Sequence, residues 1–249
     1  MATFEAQVEG LTSLAIDGSS APTQTELTQF LTDGAKEVIN NLPPTLTPLC
    51  AASQTFTSGT PNTLNTGKVL NVLRSDGDIN QPCRRILPSY KGKVSDPDEM
   101  NHATITDPVF FIDNNTIDVL PAGGSCSYSE VQYPAVAYGD SAIAAFPDEA
   151  EYLVVLYGAI KSLQNALSNM DSSVVHSDQD GSYSASSASS QGWEKVRDYL
   201  HSAEDIEISS ASVQALSAEM QQFVNEYQWK EKQQAKLQSD YDKGLQALK

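Results

Sequence analysis

The clearest periodicity in the chain runs from Phe146 to Met170. Leu153, Leu156, Ile160, Leu163, Leu167 and Met170 follow one another at steps of three and four, which draws one apolar stripe along a helix. Pro147 suits a first helical position, and Asp148, Glu149 and Glu151 put negative charge beside its free N–H groups. Val154, Val155 and Tyr157 widen the stripe to nearly the whole circumference in the first half, so other helices are expected to surround it. A second pattern, Leu27, Phe30, Leu31, Ala35, Val38, Ile39 and Leu42, predicts a helix opened by a Thr23–Glu26 capping box and ended by Pro43-Pro44. It is the natural partner for Leu153–Met170. Phe4, Val8, Leu11 and Ile16 form a weaker helical pattern, or an arm, before a loop over 17–22.

The longest pattern comes last. Val213, Leu216, Met220, Phe223, Tyr227, Lys230, Gln234, Leu237, Tyr241, Gly244 and Leu248 again step by three and four, a coiled-coil or bundle seam. With Ser209 or Ser210 as cap, the predicted helix runs from about Ser210 to Leu248, roughly 57 Å at 1.5 Å per residue. Lys230 and Gln234 break the seam in the middle. Such a helix is weak alone and needs packing, either on the helix at 148–170 or on another subunit. Met220, Phe223, Tyr227, Trp229, Leu237, Tyr241 and Leu245 are therefore the candidate subunit or partner interface. A shorter amphipathic pattern, Trp193, Val196, Tyr199 and Leu200, precedes it.

Between the first and second major helices the pattern changes. Lys68–Arg74 reads as a strand, followed by a turn over 75–78 and a second arm through Cys83–Leu87 that Pro82 confines to an edge. Val109–Ile112 and Thr116–Leu120 form a hairpin around Asp113-Asn114-Asn115, and Cys126–Tyr133 a last strand. The fold class expected is α+β: a helical bundle with an inserted small antiparallel β domain of about five strands and a long C-terminal helix. The segments are 1–44 (arm and first bundle helix), 45–145 (inserted β domain), 146–170 (central helix), 171–192 (a Ser-rich flexible linker or loop) and 193–249 (C-terminal helices).

Composition then narrows the chemistry. Thirty-two acidic residues face 15 basic ones, a net charge of −17, and each third of the chain is net negative. A protein so evenly acidic does not hold nucleic-acid phosphates by counter-ion release; it is soluble, or it is a wall that DNA passes without sticking. Cys50, Cys83 and Cys126 are far apart and odd in number, which predicts free thiols and no zinc site or disulfide framework. His102, His176 and His201 share no ligand or catalytic spacing. Asp96-Pro97-Asp98-Glu99 lacks the twelve-residue pattern of a calcium loop. Ala122-Gly123-Gly124-Ser125 has no phosphate-loop lysine and reads as a turn. No GxSxG or HExxH motif is present. No enzyme, metal or cofactor is expected, and no run of about 18 apolar residues predicts a membrane span; MATFEAQVEG lacks the blocks of a signal peptide.

Several stretches carry a resemblance. TQTELTQFLTDGAKEVINNLP, TDPVFFIDNNTIDVLP, VQYPAVAY and FPDEAEYLVVLYGAIKSLQ resemble structural proteins of tailed bacteriophages, marine ones especially. EMQQFVNEYQWKEKQQAKLQSDYDKGL is similar to the terminal helix of neck, or head-to-tail adaptor, proteins. The resemblance implies a virion protein without catalytic residues, located in the neck between capsid and tail. It implies a ring, commonly of twelve copies, that docks on the portal protein and gives tail or nozzle proteins a platform. Genomic DNA would pass through without specific binding, and no membrane is involved. The Ser-rich linker departs from the family pattern. The alternative is a virion decoration or a receptor- or glycan-binding protein whose β domain is the binding module.

Overall fold

A computed structural model describes residues 2–170, 176–178, 181–183 and 206–248. The fold is α+β, with antiparallel-rich sheets and a long C-terminal helix. The chain divides into two compact units. One comprises Met1–Gly34, Val136–Ala142 and Glu151–Ala247; the other comprises Ala35–Ala135, Ile143–Ala150 and Leu248–Lys249.

The first unit is helical. Helix α1 (Phe4–Thr12) starts at Thr3, whose Oγ1 accepts from the Ala6 N–H, and buries Phe4 and Val8. Helix α2 (Gln24–Asn41) opens with the capping box read from the sequence. The Thr23 N–H donates to Glu26 Oε2 at 2.8 Å, and the Glu26 N–H donates to Thr23 Oγ1 at 3.3 Å. Leu27 and Leu31 are fully buried. Their partners lie on α4 (Asp148–Asn169), as the two stripes predict. The approach is close: a Cβ on Gly34 would lie 2.9 Å from Tyr157 Cδ1, and one on Gly158 would lie 3.0 Å from Leu31 Cδ2. Val136–Ala142 is a strap across α1 and α2. Thr32 Oγ1 accepts from the Val136 N–H, Thr28 Oγ1 accepts from the Tyr138 N–H, and the carbonyls of Tyr138 and Asp140 accept from Glu5 and Phe4. Nothing in its apolar pattern announced this, because its bonds are to backbone groups and hydroxyls.

The second unit is built on strands β1 (Ala51–Thr57), β2 (Asn62–Thr63), β3 (Val69–Ser75), β4 (Asn80–Pro82), β5 (Arg84–Arg85), β6 (Val109–Asp113), β7 (Thr116–Leu120) and β8 (Ser125–Val131), with a short helix α3 (Lys91–Ser95). They form two four-stranded sheets, in the orders β1-β8-β3-β4 and β2-β7-β6-β5. All pairings are antiparallel except β5 with β6. The β6–β7 hairpin turns through Asn114 and Asn115, at φ 45° and 58°, the two positive values a type I′ turn requires. The arm expected over Cys83–Leu87 is corrected: the strand that follows β3 and pairs with it, on the side away from β8, is Asn80–Pro82, and Arg84–Arg85 crosses to the second sheet. Pro82 supplies no N–H, and the Cys83 N–H to Val72 carbonyl bond at 2.9 Å is the last before the crossing. β1 and β2 went unread, since AASQTFT has one large apolar side chain and no alternation.

Leu64, Val72, Phe110, Ile117, Val119, Cys126 and Tyr128 form the main β core, with the Phe56 and Tyr128 rings edge-on at 5.6 Å between centroids. Val94, Ala103 and Val109 form a smaller cluster. At the end of α2, Asn40 Oδ1 accepts from both the Tyr133 hydroxyl, at 2.7 Å, and Lys68 Nζ. On β8 of the first sheet, Glu130 is wholly buried, and its carboxylate accepts from the N–H groups of Asn65, Thr66 and Gly67 and from the Thr66 hydroxyl.

Within the Ser-rich segment at 171–192, His176–Asp178 (β9) pairs antiparallel with Gly181–Tyr183 (β10). The rest of that segment, and the amphipathic helix expected around Trp193–Leu200, lie outside the described residues. Helix α5 is Ile206–Ala247, 42 residues long. It starts four residues before Ser210, so Ser209 and Ser210 lie inside the helix and do not cap it. Serine costs only about half a kcal/mol against alanine within a helix, which one long helix absorbs.

Candidate interaction surface on the long helix

Along α5 the described side chains from Met220 to Trp229 and those from Lys230 onward meet different surroundings. From Lys230 onward the helix is packed within its own unit. Leu237 and Tyr241 are 3% and 6% exposed. The Tyr241 ring lies 6.0 Å from that of Tyr157 on α4. A Cβ on Gly244 would fall 2.4 Å from Leu153 Cδ2, so glycine sets how closely α5 approaches α4 there. Gln233 Nε2 donates to the Leu11 carbonyl at 2.9 Å, which satisfies one of the free acceptors at the end of α1.

Between Met220 and Trp229 that covering is missing among the described residues. Met220 and Tyr227 are 60% and 43% exposed, Val224 is exposed, and Phe223 is half-buried. At about 100° per residue these four share one face of the helix, and it continues the seam that Leu237 and Tyr241 bury. Lys230 marks the boundary. Its side chain is mostly buried, its Nζ is 2.8 Å from Glu226 Oε1, and it contacts Met170 Sδ at 3.2 Å. The polar break in the sequence pattern is thus where the body of the unit begins to cover the helix.

The seven candidate residues therefore separate. Met220, Phe223 and Tyr227 form the open stripe, joined by Val224, which sequence reading left out although it stands four residues after Met220. Trp229, 45% exposed, is two residues and about 200° beyond Tyr227, on the other side of the helix. Leu237 and Tyr241 are buried within the chain itself, Tyr241 with its ring beside that of Tyr157 on α4. Leu245 is half-buried. The side chains of Val213 and Leu216 lie outside the described residues.

The other places singled out in the sequence are turns, buried thiols and one small cavity. Asp96 Oδ1 accepts from the Asp98 N–H in an exposed turn. Gly123, at φ 87°, turns the chain from β7 into β8. His102 lines a cavity of about 180 Å³ with Val94, Ser95, Ala103, Leu120 and Pro121, and its Nδ1 meets no hydrogen-bond partner among the described residues. That volume is below the roughly 300 Å³ at which small-molecule sites begin. Cys50, Cys83 and Cys126 are free thiols; burial pushes Cys50 up to about 11 and Cys83 up to about 12, far from a reactive thiolate. Among the described residues no group of three or more His, Cys, Asp or Glu could hold a metal ion, and no helix is long and apolar enough to cross a membrane. Comparison with protein-family models and with curated proteins returns no match.

Proposed function

We propose that this chain is a structural protein of a tailed-phage virion: a head-to-tail adaptor that assembles as a ring in the neck, with twelve copies as the expected number. In this reading the ring docks on the portal protein, lengthens the DNA channel and presents a platform to tail or nozzle proteins. No catalytic step is assigned to it. The observation that carries the reading is the open stripe from Met220 to Tyr227 on α5. Met220, Phe223, Val224 and Tyr227 continue a seam that the chain itself buries further on, so the helix presents an apolar face made for a neighbouring copy or the portal. The charge of −17 supports the same reading, because a conduit lined by acidic subunits repels passing duplex. The resemblance of the helix and hairpin segments to adaptor proteins supplies the biological setting.

The test is to measure the mass of the purified chain with and without portal, for the natural sequence and for Met220→Asp/Tyr227→Asp. A ring is expected on portal with the natural sequence, and none with the double variant, whose monomer keeps its circular dichroism. A chain that stays monomeric in the presence of portal, or a ring indifferent to both aspartates, would remove the proposal.

A further inference from the structure

The first sheet ends on one side in β1, whose seven residues pair with β8 in unbroken register from Ala51↔Val131 to Thr57↔Ser125. The register extends at both ends. The Cys50 carbonyl accepts from the Gln132 N–H at 2.8 Å, and the Ser58 N–H donates to the Gly124 carbonyl at 2.8 Å. Hydrogen-bonded pairs alternate along an antiparallel ladder. The even-numbered residues of β1 therefore aim their backbone groups at β8, and the odd-numbered ones aim theirs outward. Two outward groups are used internally: the Ala51 N–H donates to the Pro48 carbonyl, and the Thr57 carbonyl accepts from the Thr60 N–H. The carbonyls of Ala51, Ser53 and Thr55 and the N–H groups of Ser53, Thr55 and Thr57 have no partner among the described residues.

Proteins ordinarily blunt such an edge with charge, proline, a bulge or shortness. The other sheet ends here follow that rule: β4 is three residues long and contains Pro82, β5 is Arg84–Arg85, and β2 is two residues long. β1 uses none of these devices. It lies in a stretch, 38–67, without one charged residue, in a chain of net charge −17. Two copies repel over most of their surface, and this neutral edge is where they can approach.

The open groups are also their own complement. With a two-fold axis through Gln54, Ser53 of one copy faces Thr55 of the other, and Thr57 faces Ala51. Each open N–H then meets an open carbonyl. The two groups already used inside the chain are the pair the outermost position would otherwise leave to bond. Ser53 and Thr55 also bring hydroxyls together across the axis, a favourable cross-strand pairing. We propose that β1 is a self-docking edge. Two copies pair antiparallel through it, joining two four-stranded sheets into one of eight strands. This does not rest on the adaptor reading, since β1 and α5 are separate surfaces.

The experiment uses the full chain. In an antiparallel pair centred on Gln54, that residue and its symmetry mate form a non-hydrogen-bonded pair with Cα atoms about 4.5 Å apart, within disulfide range. Gln54→Cys should cross-link into a dimer under mild oxidation, and Thr57→Cys should not. Sedimentation of the natural sequence should show a monomer–dimer equilibrium that Thr55→Lys moves to monomer without lowering the thermal midpoint. In hydrogen exchange, the Ser53, Thr55 and Thr57 amides should slow as concentration rises. A chain monomeric at every concentration with no cross-link at position 54 overturns the proposal. So does a dimer that survives Thr55→Lys with those amides still exchanging fast. Protection that appears only when a different protein is added would give the edge to a foreign strand and overturn self-docking.

Discussion

On α5, the stretch Met220–Tyr227 and the stretch beyond Lys230 share a stripe and differ in whether it is covered. Tyr241 and Gly244 lie against α4 and Leu237 is buried, while Met220, Val224 and Tyr227 stand open on the same helix. Sheet edges show the same contrast: β8 has a strand on each side, and its neighbour β1 has one. Periodicity says that a face will be covered. It does not say by what.

The first way to break this contrast is at Leu237. Leu237→Ala should cost about 2–5 kcal/mol of stability in urea unfolding, as for a buried leucine that leaves a cavity. A cost under about 1 kcal/mol would mean that the covered stretch of α5 is not part of the core.

Glu130 tests the covered side of the sheet. Burial alone would raise its pKa, but the N–H groups of Thr66, Asn65 and Gly67 and the Thr66 hydroxyl outweigh it and hold the carboxyl below its ordinary 4.5. A carboxyl depressed in the fold stabilises fully above its unfolded value. That contribution is lost as pH falls from about 4.5 through the folded value. Glu130→Gln should cost about 1–3 kcal/mol at neutral pH and lose less than the natural protein on acidification below 4.5. Urea midpoints across pH for both chains read this out; parallel acid limbs would count against the cradle.

Thr23→Ala removes half of a capping box at α2 and should cost about 1 kcal/mol. Restoration by Thr23→Ser would tie the loss to the cap. Smallest of all, Met220→Ala and Tyr227→Ala should each change monomer stability by no more than about 0.5 kcal/mol. A loss of several kcal/mol at Met220 in a monomer would show that the chain covers this stripe after all.

Much of the fold was legible. The α2 and α4 stripes, the Thr23–Glu26 box, the Asn-Asn hairpin and the length of the last helix could be read because each is a local signal: a period of 3.6, a reciprocal cap, two residues that tolerate positive φ. Four features could not. β1 has one large apolar residue and is held by its pairing with β8. The crossing at Cys83 depends on which sheet receives Arg84. Val136–Ala142 is a strap whose bonds are to Thr28, Thr32 and the start of α1. Glu130 is a single acidic letter until the turn at 65–67 closes over it. Of the candidate interface, the seam was visible, and the division at Lys230 showed only as a polar interruption.

The amino-acid order by itself determined the helices, their apolar faces and the absence of charge from 38 to 67, since those depend on neighbours within a few residues. Tertiary structure decided which part of each face is already covered. The covering of Tyr241 and Gly244 depends on α4, and an open edge at β1 depends on which strand ends a sheet. Coverage is a property of partners distant in the chain, so periodicity along one segment cannot carry it.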